Sequence, residues 1–192
     1  MNLRDQLVRK INIVQGEYRV GEGEDLVLTT VLGSCVAACL HDPHARVGGM
    51  NHFLLPGDDH KFDPSEAERY GVHLMELLVN GLMQLGASRN RLQAKLFGGA
   101  RVVRGLSDVG RKNAEFAERF LRYEGIAIAS QDVGGEEGRR LQFWPASGRA
   151  RRSFITAAAT IGVEPMRQPV CATCGDVELF DDVPAKRTLL RA

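Results

Sequence analysis

The chain has 192 residues, 44% of them hydrophobic and 26% charged, a composition typical of one globular domain with or without a tail. The 25 Lys and Arg residues nearly balance 24 Asp and Glu residues, so the charge indicates no nucleic-acid partner. No apolar run is long enough to cross a membrane, and charged residues near the N-terminus are unlike a signal peptide. Four cysteines do not make a disulfide scaffold. We therefore expect a cytoplasmic protein that is not inserted in a membrane.

The first part of the chain predicts mainly β-strands. Ile11 to Val20 alternates imperfectly and predicts a first strand, which a turn at residues 21–25 ends. Short apolar runs predict buried strands at 26–28, 36–40 and 47–55. The backbone can bend sharply at Gly33-Ser34, between two of these runs.

The middle of the chain predicts two helices. Asp63, Pro64 and Glu66 form a helix start, and an apolar face follows until Gly86, comprising Tyr70, Leu74, Leu77, Leu78, Leu82 and Leu85. A second helix is predicted over Arg111 to Tyr123, with Gly125 as its stop and with Phe116, Phe120 and Tyr123 facing inward. Further strands are predicted at 92–97, 126–129, 141–143 and 149–155. Because strands outnumber helices and are partly consecutive, we expect a layered α/β (α+β) sandwich of mixed sheets with flanking helices.

The pattern weakens from about Thr156. We therefore expect a domain over residues 1–155 and a C-terminal extension of low order over 156–192. Cys171 and Cys174 in the extension form half of a zinc or redox signature without a second pair, so we predict two ordinary thiols and no metal or cofactor. Zinc shared between chains and a regulatory disulfide are the alternatives.

Cys35 and His52 are the candidate catalytic pair. Cys35 follows Gly33-Ser34 at the bend, where a thiol would be accessible and backbone N–H groups could stabilise an oxyanion. His52 lies on the next apolar run and could take the thiol proton, which matters because only the thiolate is a nucleophile. The alternative is a buried structural cysteine and a hydrogen-bonded core histidine, as we predict for the core residue Cys39.

A threonine could complete the pair by accepting the His52 Nδ1–H, which would fix the tautomer and orientation of the ring. Thr29 and Thr30 compete for this role, and periodicity alone does not separate them.

These motifs resemble the chemoreceptor glutamine deamidase family, CheD. The resemblance rests on Thr-Thr-Val-Leu-Gly-Ser-Cys at 29–35 and Gly-Gly-Met-Asn-His-Phe-Leu-Leu-Pro at 48–56, and continues through 95–100, 113–123 and 132–140. It implies Cys35 as nucleophile, His52 as base and Thr29, six residues before the cysteine, as third member. It also implies a fold similar to the catalytic domain of cytotoxic necrotizing factor toxins.

The implied activity is deamidation of chemoreceptor glutamines through a thioester, with methylesterase activity in some members of the family. The implied partners are the cytoplasmic helices of chemoreceptors and a CheC-type phosphatase. Arg139, Arg140, Arg149, Arg151 and Arg152 flank the last hairpin. They favour an ordinary solvated face, and the alternative is a basic surface that docks the receptor helices. The alternatives are a non-catalytic chemotaxis adaptor and a thiol redox protein that uses Cys171 and Cys174.

Overall fold

The structure, a computed structural model, describes residues 8–55, 64–101 and 109–155, with the backbone alone at 64–67. In chain order the elements are β1 (Arg9–Asn12), β2 (Tyr18–Glu22), β3 (Leu26–Leu32), β4 (Val36–Asp42), β5 (Val47–Asn51), α1 (Pro64–Gln84), β6 (Gln93–Gly98), α2 (Val109–Tyr123), β7 (Ala127–Val133), β8 (Gly138–Trp144) and β9 (Arg149–Ile155). No helix among these residues is long and apolar enough to cross a membrane. The predicted extension at 156–192 lies outside the described residues.

Two mixed sheets form the framework. One has the strand order β1-β3-β8-β9 and the other β2-β5-β4-β6-β7, and each contains one parallel pair among antiparallel ones. This confirms the predicted α+β class with mixed sheets, while the likeness to the toxin catalytic domain stays a prediction.

The core has two layers because alternate residues of β4 face opposite sides of its sheet. Val36, Ala38 and Leu40 pack with apolar residues of α1 and α2, whereas Ala37 and Cys39 pack against Leu28, Leu32, Leu141 and Phe143 of the other sheet. The predicted core position of Cys39 is confirmed. A strand that is buried on both faces has an unbroken run of apolar residues, and residues 36–40 of β4 form such a run.

The predicted first strand is wrong in extent. Instead of one strand over Ile11 to Val20, β1 and β2 belong to different sheets and are separated by a turn at Gln15 and Gly16. Gly16 has φ +86°, which ends the extended backbone there. The predicted turn at 21–25 is accordingly shorter, since β2 continues through Glu22.

The helices match the prediction closely in extent, but three residues predicted on their apolar faces are exposed: Tyr70, Leu85 and Tyr123. Gly86 ends α1 with φ +89° and Gly125 follows α2 with φ +67°, as expected for C-terminal caps. Tyr123, predicted to face inward, is 88% exposed. Leu121 ends the line of buried residues Asn113, Ala117 and Leu121 on α2, and Tyr123, two residues later, is rotated about 200° from Leu121 around the helix axis.

Candidate active site

The bend between β3 and β4 is fixed by hydrogen bonds to three consecutive carbonyl groups. Ala100 N–H donates to Gly33 O at 2.8 Å, and Gly99 N–H donates to Cys35 O at 2.7 Å. The side chain of Asn113 on α2 donates to Ser34 O at 2.8 Å. The loop that carries the thiol is therefore held by the segment after β6 and by α2.

Asn113 also connects this bend to the chain after His52. It is fully buried, and its Oδ1 accepts the Leu55 N–H at 2.9 Å while its Nδ2 donates to Ser34 O. Sequence reasoning missed Asn113 as a site residue. A buried asparagine on the apolar face of a predicted helix was the available signal, because such a group requires partners.

The strand register places Cys35 and His52 on the same face of their sheet. Val36 and Phe53 are paired through two backbone hydrogen bonds of 2.9 Å, and Cys39 is paired with Met50. Side chains alternate along each strand, so Cys35 and His52 face the same side as Cys39 and Met50. In this register they are diagonal neighbours, whose Cα atoms are roughly 7–8 Å apart.

Thr30 reaches His52 from the facing sheet. Its hydroxyl lies 2.9 Å from His52 Nδ1 and donates to the Ile13 carbonyl at 2.7 Å. Because the single hydroxyl hydrogen is directed to Ile13, the Thr30 oxygen accepts the Nδ1–H of the ring. The Ile13 carbonyl, 3.4 Å from Nδ1, is a second acceptor there. The proton therefore belongs on Nδ1, and Nε2 is the basic nitrogen.

Thr29, the threonine that the family resemblance indicated, points to the other face of β3. Its hydroxyl is 3.5 Å from both Ile11 O and Asn12 Oδ1. Consecutive residues of a strand face opposite sides, so only one of the two threonines can contact the ring. The structure brings Thr30, and not Thr29, to His52.

The thiol and the ring are not hydrogen-bonded to each other. His52 Nε2 is buried and has no hydrogen-bond partner, whereas the Cys35 thiol donates to Gln15 Oε1 at 3.7 Å. Catalytic contacts are often long in the absence of substrate and tighten when it binds, so proton transfer requires the thiol to leave Gln15 and approach His52 Nε2.

Burial favours the neutral form of both groups. It raises the pKa of the Cys35 thiol above its ordinary value of 9.0, which the residue's own backbone N–H partly opposes. It lowers the pKa of His52 below 6.5, which the hydrogen bond to Ile13 partly opposes. At neutral pH the site therefore holds a thiol beside an uncharged imidazole, so that His52 is free to accept a proton.

Gly98, Gly99 and Gly134 connect backbone segments around the bend. Gly134 N–H donates to Gly98 O at 2.9 Å, and Gly99 binds Cys35 O as described. Gly98 has φ +108°, and a Cβ there would lie 2.2 Å from Cys35 O. A side chain at Gly98 would therefore displace the loop that carries Cys35.

The predicted basic surface is smaller than the sequence indicated. Arg139 is 3% exposed and donates to the carbonyls of Gly98 and Gly134. Asp132 forms ion pairs with Arg139 and Arg152. Arg139 is thus buried and supports the glycine loops, whereas Arg152 stays exposed with Asp132 beside it.

No group of three or more His, Cys, Asp or Glu side chains able to hold a metal occurs in the described ranges. Cys171 and Cys174 lie outside those ranges, so the predictions for them stay predictions.

Comparison with known proteins identifies the family. Residues 54–153 match the family model described as CheD chemotactic sensory transduction. A protein of Acidiphilium cryptum strain JF-5 named "Probable chemoreceptor glutamine deamidase CheD" is 57% identical over 178 residues, which cover 90% of this chain and 94% of that protein. A protein of the same name from Agrobacterium fabrum is 50% identical over 182 residues, covering 93% and 100%.

Solved structures give only a weak likeness. The Bacillus licheniformis hypothetical protein YfiH matches with a TM-score of 0.43 and 12% identity over 62% of this chain and 50% of that chain, too low for an argument. The identification therefore rests on the sequence relatives, which match nearly their whole length. On this basis the chain belongs to the CheD family.

Proposed function

We propose that this protein deamidates glutamine side chains of chemoreceptors, as the names of its relatives state for those proteins. The observation that carries the proposal is the His52 ring, whose Nδ1 is bound by Thr30 and whose Nε2 is buried without a partner on the face that also bears Cys35. A structural core histidine would have both nitrogens satisfied.

The reaction follows from these groups. Cys35 Sγ attacks the glutamine Cδ while His52 Nε2 takes the thiol proton, and the Cδ–N bond then breaks as His52 protonates the departing ammonia. Water attacks the resulting thioester, His52 removes its proton, and glutamate leaves with Cys35 restored. Positioned proton transfer contributes roughly a hundred- to ten-thousandfold in rate, or about 3–5 kcal/mol.

The bend supports the oxyanion. The Cys35 backbone N–H partly opposes the burial that raises the pKa of its own thiol, so it acts at the reacting sulfur. Backbone N–H groups at Ser34 and Cys35 would therefore be near the carbonyl oxygen of a bound glutamine. The hydrogen bonds to the carbonyl groups of Gly33, Ser34 and Cys35 hold this loop in place, so it does not need to reorganise during the reaction.

The family resemblance extends the proposal in three respects. A glutamate methyl ester would react at the same thiol more easily, because its leaving group needs less protonation. The cytoplasm is the expected location, since the receptor helices are there. A CheC-type phosphatase partner stays a prediction from the resemblance, and the absence of nucleic-acid binding stays a prediction from the balanced charge.

The test is conversion of glutamine to glutamate in the purified cytoplasmic domain of a chemoreceptor. We expect the wild-type protein to produce the amide-to-acid mass gain at specific glutamines, and Cys35→Ala to produce none while retaining the wild-type melting temperature. Equal conversion by Cys35→Ala would refute the nucleophile. Receptor binding without conversion by the wild type would indicate the adaptor, and dependence on Cys171 and Cys174 alone would indicate the redox protein.

A further inference from the structure

Gln15 contacts the proposed nucleophile, and neither the motifs nor the mechanism above assigns it a role. Its side-chain oxygen is 3.7 Å from Cys35 Sγ, and Gln15 itself is exposed, so that its carboxamide lies on the solvent side of the thiol. A receptor glutamine entering from solvent would meet Gln15 beside the reacting sulfur.

The turn that carries Gln15 is bound to the base as well. Gly16 N–H donates to His52 O at 2.8 Å, and His52 N–H donates to Glu17 O at 3.0 Å. Ile13 O, two residues before Gln15, accepts from Thr30. Residues 13–17 therefore position Gln15 relative to both the thiol and the imidazole.

A carboxamide suits a site whose charge changes during the reaction. Its oxygen accepts a hydrogen bond from the neutral thiol, as observed. Once His52 has taken the proton, sulfur is only an acceptor, and a half-turn about the terminal side-chain bond directs the Gln15 Nε2–H group inward. The same N–H group can then donate to the substrate oxygen when the negative charge moves there.

We propose that Gln15 is a further catalytic residue, the side-chain donor that complements the Cys35 backbone N–H in stabilising the negative charge on Cys35 Sγ and on the substrate oxyanion. This proposal rests on the deamidase function proposed above. The alternative is that the Gln15 carboxamide inhibits the enzyme, because it blocks the Cys35 thiol until substrate displaces it.

Two substitutions test whether the Gln15 side chain acts as a hydrogen-bond donor in the reaction. Gln15→Met keeps the approximate size but removes the donor, and Gln15→Glu adds a charge that disfavours the thiolate. We expect both to lower kcat on the receptor domain, by roughly 10- to 100-fold for Gln15→Met and more for Gln15→Glu, with little change in KM. Gln131→Glu, the same chemical change at an exposed position of β7, is the matched control and should leave kcat unchanged.

A second measurement needs no receptor. The rate of Cys35 alkylation by iodoacetamide, followed by peptide mapping across a pH series, reports the thiolate fraction. We expect the midpoint to move to higher pH in Gln15→Met and further in Gln15→Glu, and not in Gln131→Glu. If the wild type alkylates with these shifts but deamidates no receptor, the proposed function fails while the interaction of Gln15 with the thiolate stands.

Three results would overturn the donor role. Faster deamidation by Gln15→Met would mean that Gln15 occludes the thiol. An alkylation midpoint unchanged in both variants would mean that the carboxamide does not stabilise the thiolate. Conversion of residue 15 itself to glutamate in the wild type but not in Cys35→Ala, detected by peptide mass, would make Gln15 a self-substrate.

Discussion

The hydroxyl of Thr30 determines which nitrogen of His52 is basic, and that assignment has a direct mutational test. Thr30→Val removes the 2.9 Å acceptor of Nδ1–H and leaves only the Ile13 carbonyl at 3.4 Å. We expect kcat for glutamate formation to fall about tenfold or more, because the ring loses its orientation. Thr29→Val makes the same chemical change on the opposite face of β3 and should have a much smaller effect. A greater loss in Thr29→Val would contradict the site as described.

The uncharged Cys35 thiol and the uncharged His52 imidazole together predict the pH dependence of the reaction. Since His52 must be unprotonated and its pKa lies below 6.5, kcat/KM should fall only in the acid range below that value. Since the pKa of Cys35 lies above 9.0, the alkaline limb should lie above that value. A pH–rate profile of receptor deamidation checks both limbs. Rapid alkylation of Cys35 well below the ordinary thiol range would instead indicate a preformed thiolate–imidazolium pair.

At the scale of elements, the end of β6 controls the bend that carries Cys35. Gly98→Ala combines an unfavourable φ of +108° with a Cβ only 2.2 Å from Cys35 O, so the loop must shift. We expect it to abolish deamidation. Gly125→Ala also requires a positive φ, +67°, but a Cβ there meets nothing within 4 Å. It should lower the stability by about 1–2 kcal/mol and leave kcat unchanged. Thermal unfolding and receptor turnover of the two variants separate these effects, and equal activity would contradict the role of Gly98.

Some of these elements could be predicted from the sequence, and some residues of the site could not. The bend at Gly33-Ser34 and the buried strands beside it were predictable because they depend on local signals: a small residue at a turn and unbroken apolar runs. The choice between Thr29 and Thr30 was not, because it depends on which face of β3 meets the other sheet. Gln15 was missed for a similar reason, since its turn was read as the middle of a strand.

At the scale of the whole molecule, the site is assembled from both sheets, and its geometry depends on how they pack. Thr30 comes from the sheet containing β3, whereas Cys35 and His52 flank paired residues of the other sheet. Sequence patterns report the burial of each strand but not which residues of different sheets face each other. The sequence therefore indicated Cys35 and His52 as a pair, but not how the two side chains lie relative to each other.

Asp42 is a buried carboxylate that connects several segments of the chain and takes no part in the proposed reaction. The fully buried carboxylate accepts N–H groups of His44, Ala45 and Ser88 and pairs with Arg91. Burial alone would raise its pKa, but these donors, Arg91 foremost, hold the pKa well below the ordinary 3.8. The carboxylate therefore stabilises the fold above pH 3.8, and this stabilisation is lost as the pH falls through the lower folded-state value.

Asp42→Asn should accordingly destabilise the protein by about 3 kcal/mol or more, since Arg91 loses its partner and an amide N–H group faces backbone donors. Denaturant unfolding at neutral pH measures the loss, which should shrink as the pH is lowered. Glu24→Gln, which breaks the exposed ion pair with Arg46, is the control and should change the free energy of unfolding very little. Equal effects of the two substitutions would contradict a structural role for Asp42.

The central claim, that Cys35 carries the acyl group of a receptor glutamine, is tested most directly by trapping the intermediate. A reaction of the protein with a receptor-derived glutamine peptide is quenched in acid within the first turnover, and the cysteine-containing fragments are mapped by mass. We predict a fragment containing Cys35 that is heavier by the peptide less one ammonia, together with release of one ammonia per adduct. Glutamate formation with no adduct at Cys35, or an adduct at another cysteine, would contradict the account.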